Sequence, residues 1–158
     1  MLGLKAKIIL SIIVCELLGA WSGFSTVRTI EGWYDRLIHP PGTPPDWVFG
    51  PVWIALYAAM GAAFGLVWER APAGMKKWQA MAMFVVQLLL NLVWSPVFFG
   101  MRRTEIGLVI VAALFMAVFI TVLAFHPLEK KAAWLLLPYL AWTGYAAYLN
   151  AGILVLNG

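Results

Sequence analysis

Apolar runs long enough to cross a bilayer alternate with short polar breaks along almost the whole chain. The runs cover residues 8–27, 47–68, 79–100, 106–125 and 132–156. At 1.5 Å of rise per residue, a helix of about 20 residues spans the roughly 30 Å of hydrocarbon in a membrane. Lipid offers no hydrogen bonds, so each backbone segment must satisfy itself as a helix or join a closed barrel. These runs are too long for barrel strands. The pattern predicts an all-α membrane protein, a bundle of five transmembrane helices forming a single domain over 1–158. Lys5 and Lys7 precede the first run as they would in a signal peptide, but the run is too long for a signal-peptide core and reads as a retained helix.

One break is different. Residues 28–46 carry Trp33-Tyr34 and then Pro40, Pro41, Pro44 and Pro45. Proline fixes φ and removes a backbone donor, so this stretch is a stiff, non-helical loop that leads into the second helix at Trp47. Stiff loops usually hold something in place.

Polar and aromatic residues inside the spans fall on stripes. Gln87, Asn91, Trp94 and Phe98 share one face of the third helix, Trp53, Tyr57, Met60 and Phe64 one face of the second, and Tyr139, Trp142, Ala146 and Asn150 one face of the fifth. Two amides facing lipid would be costly, so the third-helix stripe points into the bundle. Taken singly, each stripe fits ordinary interhelical packing and hydrogen bonding. Their depth adds to this, because Trp53, Asn91, Trp94 and Asn150 lie in the half of the bundle that the loop caps. Apolar walls with a few polar groups make a small-molecule site, and flat indoles suit a planar hydrophobic ligand.

Glu16 lies in mid-span and reads as structural, a protonated carboxyl bonded to a neighbouring helix; proton or cation coupling is the alternative. Gly19 with Gly23, and Gly61 with Gly65, permit close helix approach within the chain or between two copies. Pro96 and Pro138 fall inside the third and fifth spans and are expected to kink them.

A hydrophobic share of 63%, a charged share of 11% and a mean hydropathy of +0.87 exclude a soluble domain. The net charge of +4 is spread over several loops and is a topology signal, not a nucleic-acid footprint. Seven Lys and Arg lie on the side of the N-terminus against four on the other, which puts the N-terminus in the cytoplasm and the proline-rich loop and C-terminus outside. One cysteine and two well-separated histidines leave no disulfide and no metal site. No nucleophile elbow, phosphate loop, zinc-protease motif or catalytic triad is visible.

Three ordered motifs resemble the translocator protein family, also called tryptophan-rich sensory protein, TspO/MBR or peripheral-type benzodiazepine receptor, in its bacterial form. They are Trp33-Tyr34-Asp35 with Leu37, Pro40, Pro44-Pro45, Trp47 through Trp53 and Leu56-Tyr57; Asn91 through Gly100; and Leu137 through Trp142 with Ala146, Leu149 and Asn150. The resemblance implies a five-helix receptor or transporter of the cell membrane, homodimeric and without obligatory cofactor. It implies porphyrins, haem, sterols and benzodiazepine-type drugs as ligands, alongside membrane lipid, and a site under the first loop. Trp53, Asn91, Trp94, Tyr139, Trp142 and Ala146 would line that site, with Tyr34 and Trp47 near the lid. The stripes add Tyr57, Gln87 and Asn150. Some relatives are linked to light-dependent porphyrin breakdown involving tryptophans that match Trp53 and Trp142. A small proton-coupled exporter using Glu16 is a further alternative, against which the five spans and the loop motifs speak. Two departures stand out. Gly42, beside an unusual Pro41, occupies a position where the family often has Trp, which predicts a lid poorer in aromatic contact. No basic residue follows Lys131, so the C-terminal sterol motif is absent and no dedicated sterol site is expected.

Overall fold

The structure, a computed structural model, describes residues 2–30 and 32–158, with side chains except at Ser25 and at 27–30. The chain forms α1 (Leu4–Ile30), a short 3-10 turn (Tyr34–Arg36), α2 (Asp46–Arg70), α3 (Met75–Ser95), α4 (Thr104–Phe125), α5 (Lys130–Leu135) and α6 (Leu137–Asn157). Among the described residues there is no strand. Three helical stretches are long and apolar enough to cross a membrane: Asp46–Arg70, Met75–Gly100 and Thr104–Phe125, with mean hydropathies of 1.6, 1.9 and 3.0. α1 packs along α2, α3 along α4, and α4 along α6, so α1 and the α5–α6 rod complete the bundle.

The prolines perturb the helices in different ways, with Pro51 inside α2, Pro96 at a widened turn that continues the helix of α3, and Pro138 at a break in the fifth span. The fifth span is not one helix. The chain leaves α5 at Leu136, and Pro138 stands in the first turn of α6. A proline there lacks only an N–H that has no partner anyway, whereas in mid-helix its ring would strike the preceding turn. Pro96 ends α3 and opens a wide turn over Pro96–Gly100, closed by Met101 N–H donating to the Pro96 carbonyl at 2.8 Å. The first connector is also shorter than expected, because α1 runs on to Ile30. Arg28, counted in the charge balance, lies outside the described side chains.

The α2 glycine motif packs within the chain. A Cβ on Gly61 would sit 2.4 Å from the Ile12 Cα, and one on Gly65 would sit 2.7 Å from the Ile8 Cα. At these two points α1 and α2 meet backbone to backbone. Further along, Gly19 gives way to the ring of Tyr57, and at Gly23 nothing lies within 4 Å. The two helices touch at one end and part at the other. The touching end is tied further by Lys7 Nζ to Glu69 at 2.5 Å, with Lys7 above the Trp68 ring. Phe84 stacks on Phe125 in the core at that end.

The loop closes the parted end and is fastened to α6. The Tyr148 hydroxyl donates to the Pro41 carbonyl at 2.9 Å, and the Tyr145 hydroxyl donates to the Gly42 carbonyl. Asn157 holds Ile38 twice, accepting from its N–H at 2.9 Å and donating to its carbonyl at 3.0 Å. Gly152 leaves a socket for the Pro40 ring, which a Cβ would meet at 2.6 Å. Gly42 adopts φ +85°, a left-handed turn in which a side chain is strained. Gly42 is not among the residues that line the cavity.

Two outcomes follow from this packing. Gly61→Ala should lower stability by about 1–3 kcal/mol, because neither backbone can yield to the added methyl. Gly23→Ala should leave the melting temperature in detergent unchanged. Asn157→Ala removes three hydrogen bonds worth about 1 kcal/mol each, two to Ile38 and one to the Ile153 carbonyl. It should speed hydrogen exchange at the Ile38 amide roughly tenfold while leaving mid-helix amides of α2 as they are.

Candidate functional site

Where α1 and α2 part, a cavity of about 560 Å³ opens among α1, α2, α3 and the start of the loop. Its aromatic walls come from Trp53 and Tyr57 on α2, Trp94 on α3 and Tyr34 from the loop, with Trp47 and Phe49 near its mouth. Gly19 and Gly23 keep the α1 wall low. The mouth lies between α1 and α2, where Ala20, Gly50 and Ile54 are exposed.

Each polar group around this space has a traceable role. At the floor, the Tyr57 hydroxyl donates to the Asn91 amide oxygen, and the Asn91 Nδ2 donates to the Tyr139 hydroxyl at 2.7 Å. This relay joins α2, α3 and α6. On the back wall, the Ser22 hydroxyl donates to the Leu92 carbonyl at 2.9 Å, and Thr26 and Ser95 share a hydroxyl–hydroxyl hydrogen bond. Under the loop, Tyr34 is buried against Phe99 and His39, with ring centroids 5.4 and 4.6 Å away. Burial, with Asp46, Tyr145 and Asp35 nearby, pushes its phenol up to about 12, so it remains a neutral donor at physiological pH.

A second space lies behind the indoles. Trp53 and Trp94, with centroids 6.4 Å apart, separate the large cavity from a cleft of only about 20 Å³ against α6. Trp142, Ala146 and Asn150 line that cleft, together with Tyr34, Trp53 and Trp94. Trp142 meets Trp53 edge to face at 6.5 Å. Asn150 is fully engaged, accepting from the Trp94 Nε1 at 3.3 Å and donating to the Thr104 carbonyl at 2.8 Å.

The eleven residues picked from the sequence therefore divide. Tyr34, Trp47, Trp53, Tyr57, Asn91 and Trp94 meet at the large cavity. Trp142, Ala146 and Asn150 stand behind its indole wall. Tyr139 is fully buried beneath the floor, and Gln87 is 1% exposed a turn deeper, so neither reaches either space. Both polar atoms of the Gln87 amide lack a partner among the described residues. Glu16 is not the hydrogen-bonded structural carboxyl that the sequence led one to expect. It lines the cavity and has no hydrogen bond or ion pair among the described residues. Sequence reasoning missed the α1 wall, whose small residues carry no chemical signature. It also missed the fastening residues Tyr145, Tyr148 and Gly152, although their i, i+3, i+7 spacing marks one face of α6. Among the described residues no cluster of His, Cys, Asp and Glu could hold a metal ion.

Comparison with known proteins agrees with this architecture. The chain is 40% identical to the tryptophan-rich protein TspO of Chlorobaculum tepidum, over 96% of this chain and 98% of that one. It is 37% identical to the TspO of Archaeoglobus fulgidus, over 96% and 97% respectively. It is 40% identical to the human translocator protein over 75% of this chain and 70% of that one. The TspO/MBR family model matches residues 11–156. With its helical membrane bundle, its tryptophan-walled cavity and this match over nearly its whole length, the chain belongs to the TspO/MBR family.

Proposed function

We propose that the chain is a membrane receptor or transporter for planar hydrophobic ligands of the porphyrin and haem type. The observation that carries the reading is the 560 Å³ cavity, in which eight of nineteen lining residues are aromatic. Such a wall gains from stacking as well as from burial. The mouth between α1 and α2 faces sideways, which suits a ligand dissolved in the bilayer. Relatives named translocator and tryptophan-rich sensory protein support passage or sensing as the role. The ligand sits in front of Trp53 and Trp94, against α1 and α2.

The seat can be tested by filling it. Gly23 has open space around it, so Gly23→Leu should project into the cavity and weaken protoporphyrin binding about tenfold, equivalent to 1.4 kcal/mol, with no loss of melting temperature. Ala146→Leu, in the 20 Å³ cleft, should lower stability by about 1–3 kcal/mol and change affinity much less. Tryptophan quenching during titration reads both. The seat assignment fails if Ala146→Leu loses binding while Gly23→Leu keeps it.

The same reading places the N-terminus in the cytoplasm and the loop outside, in line with the seven-to-four bias in Lys and Arg. An impermeant maleimide applied to intact cells should label a cysteine introduced at Arg102 and not one introduced at Lys76. The reverse pattern inverts the topology.

A further inference from the structure

Helices that start at opposite ends of the bundle carry opposite charge in their first turns. α2 and α4 open with Asp46 and Glu105, the usual placement at the positive end of a helix dipole. α1 and α3 open at the other end with no acid in the first turn. They carry lysines there instead, Lys5 and Lys7 on α1, Lys76 and Lys77 on α3. α5 also begins at this end, with Lys130 and Lys131. Arg70 brings the count to seven Lys and Arg, against two acids, Glu69 and Glu129. Of the residues at this end only Met1 is undescribed, and Arg28 lies at the far end of α1.

The fold itself uses three of the seven. Lys7 pairs with Glu69 at 2.5 Å and Arg70 with Glu129 at 3.4 Å. Lys77 Nζ donates to the Trp68 and Ala71 carbonyls at 2.7 and 3.3 Å. These contacts pin the starts of α1, α3 and α5 to the last turn of α2, and they occupy both acids. Lys5, Lys76, Lys130 and Lys131 each lie within two residues of a pinned position and are exposed. Their ammonium groups have no hydrogen bond or ion pair among the described residues. Like charges gathered around one helix end repel unless an anion offsets them. Two exposed indoles mark the level of the cluster. Trp78 and Trp134 stand within one turn of Lys76 and Lys131, at 62% and 64% exposure, as indoles do between hydrocarbon and headgroups.

We propose that these four lysines bind the headgroup phosphates of anionic phospholipids in the adjoining leaflet, with Trp78 and Trp134 against the lipid just beneath. Orienting the chain needs only a bias in Lys and Arg. It does not need the acids withdrawn into pairs and the lysines left open on three elements. At headgroup depth a membrane-fixed phosphodiester meets several lysines together, whereas a soluble polyanion must first displace lipid. The positive ends of α1 and α3 face the same surface and add to the attraction.

Native mass spectrometry of the full chain reads the preference, from micelles holding equal amounts of phosphatidylglycerol and phosphatidylcholine with matched acyl chains. The parent should retain phosphatidylglycerol over phosphatidylcholine by about tenfold or more. Lys130→Gln with Lys131→Gln should cut that ratio about tenfold, and Lys130→Arg with Lys131→Arg should keep it. Arg102→Gln with Arg103→Gln removes the same charge from the opposite end and should leave the ratio within about twofold. Excess glycerol phosphate should not displace the lipid. Equal retention of the two lipids by the parent overturns the proposal without any variant having to fold. An equal loss in the folded arginine variant also overturns it, because net charge would then be the cause. Displacement by glycerol phosphate overturns it in favour of a free-anion site. Binding of a single-stranded oligonucleotide that phosphatidylglycerol does not compete away overturns it in favour of a soluble polyanion.

Discussion

The backbone contact between α1 and α2 governs the rest of the molecule. Gly61 and Gly65 let the two helices meet with no side chain between them, at Ile12 and Ile8. The two helices touch at this end and stand apart at the other, where nothing lies within 4 Å of a Cβ built at Gly23. Tyr57 fills the gap between them at the level of Gly19, and beyond that the gap remains open. The cavity is thus a product of helix geometry, and its depth is set by where the aromatic ring stops the gap. The same contact leaves a mouth between α1 and α2.

Polar groups in the outer half are organised around that opening. The Tyr57–Asn91–Tyr139 relay and the Trp94–Asn150–Thr104 chain bind α2, α3, α4 and α6 to one another. The amides of Asn91 and Asn150 both have partners, as a membrane interior demands. The groups without described partners are therefore informative. Glu16 faces a space large enough for a ligand. Gln87 is buried away from both spaces, and nothing described satisfies its amide.

The loop is held by α6 while α1 and α2 bound the cavity it covers. Tyr145, Tyr148, Gly152 and Asn157 all engage residues between Ile38 and Gly42. Movement of the cover and access through the side mouth are consequently controlled by different helices. The α6 fastening does not span the opening between α1 and α2.

The sequence by itself determined the membrane class, the rods, the stiff loop and the inward stripes, because these follow from hydropathy, period and proline chemistry along one segment. It also brought Tyr34, Trp53, Tyr57, Asn91 and Trp94 to one end of the bundle, since depth is readable from position in a span. What only the tertiary structure decided is which side of those residues is open. Periodicity assigns a side chain to a face but does not say whether the opposite helix lies against it or away from it. Hence Trp142 and Ala146, as well placed by spacing as Trp53, ended behind a filled cleft, while Gly23 and Glu16 came to line the large cavity. Glycines at the same four-residue spacing in α1 and α2 met different neighbours, backbone at Gly61 and open space at Gly23. That difference depends on the angle between two helices, and no single segment encodes it.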